Sequence, residues 1–278
     1  MKELNLETIS KLKYFPMIGI VKETNRPPGG MNSIRKIAQN AFLNSSKKIL
    51  EVGTATGVTA IELAKLTNCQ ITAIDIDEQN LSVAMDRAQK ENVNDLISFE
   101  KRDATDTGYE NNSFDMVFCG NVTSYFDDKL KAIKEYDRVL KTNGLIAAIP
   151  MYYIDEPSSE LVTEVSEAID VNISPLYKND WLDFFNLPGY ELISCEDYAF
   201  DNISDNGVKE YVDIIFEQEH LKLLDSEIKS ALYERYSYFM HLFRTNLAHM
   251  GFSLMLLRKV ACKTEPELFT AKIVEGLK

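Results

Sequence analysis

Histidine and cysteine are scarce in this 278-residue chain, basic residues are outnumbered, and no long apolar run is present. Each shortage excludes something. With 30 Lys and Arg against 43 Asp and Glu, the net charge is −13, and the concentrated basic surface that binds a phosphate backbone is missing. No stretch approaches about 20 apolar residues, so no membrane span is expected. The opening "MKELNLETIS" has neither an apolar h-region nor a cleavage site, so the expectation is a cytoplasmic protein without a secretory leader. The four cysteines, Cys69, Cys119, Cys195 and Cys262, are far apart and lack CxxC spacing, as reduced thiols do and zinc or disulfide frameworks do not. The three histidines, His220, His241 and His249, form no carboxylate–histidine pattern, and no metal site is expected.

What is present is a hydrophobic fraction of 45%, enough for a packed core in one large domain or one domain with insertions. Strand-like and helix-like runs alternate. "KKILEVG" precedes a helical stretch from Val58 to Lys65, and "QITAID" precedes Leu81, Ala84, Met85 and Ala88 at helical spacing. "LISFEKRD" and "FDMVFCG" read as two more strands. Leu130, Ile133 and Leu140 mark a helix closed by Asn143-Gly144, and "LIAAIP" (145–150) is the fifth strand. Beyond it come a helix after Pro157, a sixth strand near 190–200, a helical region at 207–249 and a seventh strand, "GFSLMLLRKV". The expectation is an α/β fold: a doubly wound, mostly parallel, seven-stranded Rossmann-like sheet with helical cap insertions. Its parts would be a lid segment (1–46), a core (47–206), a cap insertion (207–249) and the last strand with its tail (250–278). Ligands of such sheets lie beyond the carboxyl ends of the strands, which directs attention to 51–57, 75–77, 103–104 and 119–125.

The turn Glu51-Val-Gly-Thr-Ala-Thr-Gly57 joins the first strand to its helix with little side chain. Missing side chains allow close approach, and the helix N-terminus offers unpaired N–H groups. A dinucleotide turn counted from Gly53 would need glycines at 55 and 58, where the chain has Ala55 and Val58. A phosphate loop ending in Gly-Lys-Ser/Thr is absent, and Glu51 would repel phosphate. A carboxylate there suits a ligand carrying an ammonium group.

These residues resemble the first motif of the class I S-adenosylmethionine (SAM)-dependent methyltransferases of the small-molecule type, an acidic residue followed by G-x-G-x-G, with Ala55 replacing the middle glycine. Asp75 in "AIDID", Asp103-Ala104, "NNSFDMVFCGNVTSYF" and "LKTNGLIAAIP" resemble the later motifs in order, over roughly residues 47–150. The resemblance implies SAM as cofactor. It implies that Glu51 lies near the methionine moiety and that Gly53, Thr54 and Gly57 give close backbone approach. Asp75 would take the ribose hydroxyls, Ile76 would pack on adenine, Asp103 and Ala104 would lie beside it, and Asn121 would lie beside the methionine end. Asp77 and Glu78 read instead as acids favoured at a helix N-terminus. The Pro-Pro-Gly-Gly turn at 27–30 resembles one found in several small-molecule methyltransferases. Gly29 and Gly30 would then fold over the methionine end, with Tyr14 in a lid; the competing reading is a plain linker turn.

The expected reaction is methyl transfer to a nitrogen or oxygen of a small molecule by in-line displacement. The fourth-strand stretch "GNVTSYF" lacks the Pro-Pro pair of nucleic-acid amino methyltransferases, and the glycine run of aminopropyl transferases is absent. A SAM-fold protein that binds a ligand or partner without catalysis is the alternative. Base candidates are few: His241 and His249, about 80° apart round a helix, and Tyr125. Surface or packing histidines are the competing reading. In the insertion, Leu232, Tyr236, Phe239, Met240, Phe243 and Leu247 form one stripe and Val208, Tyr211, Val212 and Ile215 another, taken as packing against the sheet domain. Tyr125, Tyr152 and Tyr153 are candidates to line a pocket beneath it. The oligomeric state is left open, a homodimer included.

Overall fold

Strand β1 (Lys48–Val52) is buried along four of its five residues, as a central parallel strand covered by helices on both faces must be. The protein is described by a computed structural model over residues 4–24 and 26–261. Cys262 and the tail after it lie outside the described residues, whereas Cys69, Cys119 and Cys195 are free thiols.

Three helices, α1 (Leu6–Ser10), α2 (Tyr14–Ile20) and α3 (Gly30–Asn40), precede β1. The chain then alternates: α4 (Val58–Thr67), β2 (Gln70–Asp75), α5 (Glu78–Lys90), β3 (Ile97–Lys101), β4 (Phe114–Gly120), α6 (Lys129–Val139) and β5 (Leu140–Ala148). It continues through β6 (Met151–Tyr153), α7 (Ser159–Ile169), α8 (Lys178–Phe184), β7 (Tyr190–Ala199), α9 (Asp205–Phe216), α10 (Glu219–Lys222), α11 (Ser226–Leu247) and β8 (Met250–Lys259). The sheet order is β3-β2-β1-β4-β5-β8-β6, with β7 on the other flank of β8. Strands β1 to β5 are parallel and β8 is antiparallel to its neighbours. Strand order reverses between β1 and β4, so their carboxyl ends flank the crevice where such sheets bind ligands.

Among the described residues the sheet has eight strands where the sequence reading has seven. Pro150, the last residue of the expected fifth strand, has no N–H to donate. Strand β5 ends at Ala148, and β6 resumes along the same edge of β8, pairing Met151 with Phe252. Tyr152 and Tyr153 are therefore buried β6 residues; the Tyr153 hydroxyl donates to Asn246 at 2.8 Å. Asn143-Gly144 does not cap a helix either. Helix α6 ends at Val139, and Asn143, at φ +61°, sits in a bulge where β4–β5 pairing shifts register.

Two cores flank the sheet, one under α3, α4 and α5 and one under α6 and α8. A third contains no sheet residue. It gathers Met17 from α2, Val165 from α7, Val212 from α9, and Leu232, Tyr236 and Phe239 from α11. The two stripes of the 207–249 region thus pack chiefly on α1, α2 and α7 and not on the sheet. Short amphipathic helices cannot stand alone, and together they bury one another's apolar faces. Because β7 is parallel to β5 and β8 antiparallel to both, α9–α11 leave and rejoin the sheet at its carboxyl edge.

Gly57 starts α4 at φ +77°, and a Cβ there would lie 2.6 Å from the Ala84 Cβ of α5 and 3.0 Å from the Phe99 ring. Gly189 has the same hand, φ +80°, with nothing within 4 Å. Gly189→Ala should therefore cost only the backbone penalty, about 1–2 kcal/mol. Gly57→Ala should cost that plus about 1–3 kcal/mol of overpacking. Urea unfolding of both variants checks this; equal losses would contradict the packing role of Gly57.

Candidate active site

Backbone bonds hold the glycine turn to the end of β2: Gly53 and Thr54 N–H both donate to the Ile74 carbonyl, at 2.9 and 3.0 Å. Gly53 is at φ +71°, and a Cβ there would lie 2.5 Å from the Val122 side chain. The bare positions Gly53 and Gly57 thus face Val122 on one side and α5 on the other, so close packing of the turn requires both. Ala55, where the motif has its middle glycine, takes the left-handed conformation at φ +46°, and its N–H donates to Asp75 Oδ2 at 2.8 Å. Asp75 Oδ1 accepts the Asp77 N–H at 3.0 Å. Each carboxylate oxygen therefore has a backbone donor and retains acceptor capacity, which suits a pair of neighbouring hydroxyls. Burial raises the Asp75 carboxyl above its ordinary range, against the pull of those backbone donors.

Glu51 is 3% exposed, and Thr54 Oγ1 donates to its Oε2 at 2.7 Å. Burial pushes its carboxyl up to about 7, with Thr54 and Thr59 hydroxyls pulling down and the Asp75 charge adding to the rise. A buried acid of this kind favours a cationic guest, whose charge would stabilise the ionised form. Ile76 stands 72% exposed beside the turn, as an apolar platform would. Asp77 caps α5 through the Asn80 N–H at 2.9 Å. Asp103 is exposed and accepts the Thr105 N–H at 2.7 Å, while Ala104 is buried against the second core.

Asn121, just after β4, has both its side-chain oxygen and nitrogen engaged. Its Oδ1 accepts the Met151 N–H and the Ser124 hydroxyl, and its Nδ2 donates to the Tyr125 hydroxyl at 3.2 Å. Tyr125 is raised above its ordinary range by burial and meets the Phe15 ring edge-on at 5.2 Å. The Pro-Pro-Gly-Gly turn starts α3: Gly29, at φ +76°, packs against the Phe252 ring, and Gly30, at φ +59°, lies beside the Arg26 stem. Two base candidates stay outside this group. His241 lies 3.6 Å from Asp205 on the cap, and His249 pairs with Asp155 at 2.7 Å, both with partly exposed side chains. Among the described residues no cluster of histidine, cysteine and acids could hold a metal ion.

Sequence reasoning misses the tie between cap and turn. Thr56 Oγ1 donates to the Glu23 carbonyl at 2.6 Å, and Arg87 of α5 donates to the carbonyls of Thr56, Lys22 and Glu23. The Glu23 side chain is 5% exposed and accepts the Tyr14 hydroxyl at 3.0 Å. Glu23 sits in a short polar stretch before two prolines, with nothing to mark it among 43 acids. Tyr236, beside it, reads from sequence as one member of a packing stripe.

A family model described as a methyltransferase domain matches residues 50–148. An uncharacterized protein of Haemophilus influenzae is 31% identical over 170 residues, which span 60% of this chain and 68% of that one. The 27-O-demethylrifamycin SV methyltransferase of Amycolatopsis mediterranei is 29% identical over 137 residues, 48% of this chain and 50% of the enzyme. The chain thus spans about half the length of that named relative. Among solved structures, the MccD protein superposes with a TM-score of 0.70 at 26% identity, covering 84% of this chain and all of that one. Phosphoethanolamine N-methyltransferase 2 of Haemonchus contortus, solved with SAM, shares the fold at a TM-score of 0.63 and 18% identity, over 93% of this chain and 61% of that one. The chain belongs to the class I SAM-dependent methyltransferases, enzymes whose methyl donor is S-adenosylmethionine.

Proposed function

We propose that this methyltransferase acts on a small organic molecule enclosed between the carboxyl edge of the sheet and the helical cap. The observation that carries the reading is the cap's attachment. Helix α2 and the segment after it are bonded directly onto the glycine turn, with Phe15 against Tyr125. A site roofed in this way admits a metabolite more readily than a polymer, and the acidic chain offers no basic tract for nucleic acid.

In this reading Asp75 holds the ribose hydroxyls, Glu51 faces the ammonium of the methionine moiety, Ile76 packs on adenine and Asp103-Ala104 border it. Thr54 orients Glu51. Gly53 and Gly57 let the turn close on Val122 and α5, which fixes the backbone that the cofactor meets. Asn121 acts by holding Tyr125 and the start of β6 at the methyl end, since its own amide is occupied. Tyr14 and the turn at Gly30 belong to the roof. When bound, SAM supplies a methyl group already activated by a sulfonium. The protein's contribution is then to align the acceptor with it and keep water out.

The Glu51 assignment fixes a pH dependence. Its folded carboxyl, at about 7, lies above the ordinary value of 4.5, so in the free protein it is protonated through most of that interval. A bound ammonium favours the ionised form, so binding must release this proton. SAM affinity should rise from pH 5 to about 7 and then level off, and Glu51→Gln should flatten that rise. Asp75→Ala should instead lower affinity at every pH by at least about tenfold, having lost charge-assisted hydrogen bonds. Titration calorimetry in buffers of different ionisation enthalpy separates the two effects. An unchanged profile in Glu51→Gln, or unchanged affinity in Asp75→Ala, would contradict these roles.

The acceptor reading is tested with SAM labelled in its methyl group and a cell extract split by size. Label should accumulate in the small-molecule fraction. Transfer confined to protein or nucleic acid would refute it.

A further inference from the structure

Glu23 is a buried carboxyl surrounded by hydroxyls and, among the described residues, without a paired cation. Tyr14 reaches it from α2 at 3.0 and 3.2 Å. Tyr211 of α9 and Tyr236 of α11 face the same carboxyl. The Tyr236 hydroxyl is fully buried and has no partner at full hydrogen-bonding geometry. Neither nearby guanidinium neutralises the acid: Arg87 is occupied by three backbone carbonyls, and Arg26, whose charge acts on Tyr211, forms no ion pair with Glu23 among the described residues. Leaving a carboxylate buried without an opposite charge is expensive. Burial raises its pKa, so it holds a proton more readily than a surface acid does.

The fold alone does not explain this side chain. The tie to the sheet runs through the backbone carbonyl of Glu23, which any residue would supply. The carboxyl instead points among aromatic rings that connect to the methyl end of the crevice. Tyr14 packs edge-on against Phe243 at 4.7 Å, its hydroxyl lies within electrostatic reach of Tyr125, and Tyr125 is bonded to Asn121. A negative group walled by aromatic rings suits a nitrogen that carries or develops positive charge.

We propose that Glu23 binds the reacting nitrogen of an amine acceptor, orients its lone pair and takes up the proton that the methylated product sheds. The inference rests on the reading of a small acceptor beneath the cap. The neutral amine forms the new N–C bond as the S–C bond of SAM breaks, and that bond's electron pair stays on sulfur. The proton on the resulting ammonium passes to the carboxylate. An alcohol would need a far stronger base before attack, and an anionic acceptor would meet like charge.

The test uses the full chain and three matched probe sets: the amine, alcohol and carboxylic acid of butyl, benzyl and phenethyl skeletons. Binding is measured by calorimetry on protein saturated with S-adenosylhomocysteine, and methyl transfer by mass spectrometry. At least one amine should bind about tenfold or more above its alcohol and acid counterparts. Glu23→Gln, which can still accept from Tyr14, should abolish that preference while S-adenosylhomocysteine affinity stays within about twofold. Glu23→Asp should keep the preference with lower kcat, and it serves as the test if the Gln variant fails to fold. Preference for an alcohol or acid, failure of every amine to bind, a Gln variant that retains the preference, or an Asp variant with unaltered kcat would each overturn the proposal. Failure of the underlying reading is seen separately, as labelled methyl groups in macromolecules.

Discussion

The Arg87 guanidinium is the joint on which the site depends. It donates to the Thr56 carbonyl in the glycine turn and to the Lys22 and Glu23 carbonyls below the cap, at 2.6, 3.1 and 3.3 Å. Burial lowers its pKa, a measure of what removing the charge from water costs. Charge-assisted bonds to three backbone carbonyls offset that cost. From this joint follow the position of α2 over the turn and the contact of Phe15 with Tyr125, with Tyr14 bonded to Glu23 on the same segment.

Around that crevice three carboxyls, Glu51, Asp75 and Glu23, are all pushed upward by burial. The Asp75 charge adds to the rise of Glu51. Acids gathered in this way favour a cationic guest. The cationic donor of this enzyme family, and in our proposal the nitrogen that becomes cationic on methylation, are such guests. Hydroxyls and backbone N–H groups orient the acids without neutralising them.

What was legible in the sequence was local. Strand β1 and the turn after it follow from an apolar run broken by glycines, and Asp75 follows from the end of the next such run. The cap's stripes at 208–215 and 232–247 follow from helical spacing. What the stripes pack against was not legible, because α1, α2 and α7 join them only through contacts between distant parts of the chain. Strand β6, beyond Pro150, was not legible because β8, about 100 residues away, aligns it along the edge that also pairs with β5. The glycines were legible as a turn, but their neighbours Val122 and Ala84 were not. His241 and His249 pair with Asp205 and Asp155, and the buried Glu23 was not legible because its polar surroundings in sequence resemble any surface loop.

If cap and glycine turn form one site through Arg87, a ligand in the crevice must slow the opening of both. Hydrogen–deuterium exchange with and without S-adenosylhomocysteine measures this directly. The account predicts protection of residues 53–57 and 75–77 together with residues 14–24 of the cap, and loss of the cap's share in Arg87→Ala. Protection confined to the sheet residues, with 14–24 exchanging as in the free protein, would contradict it.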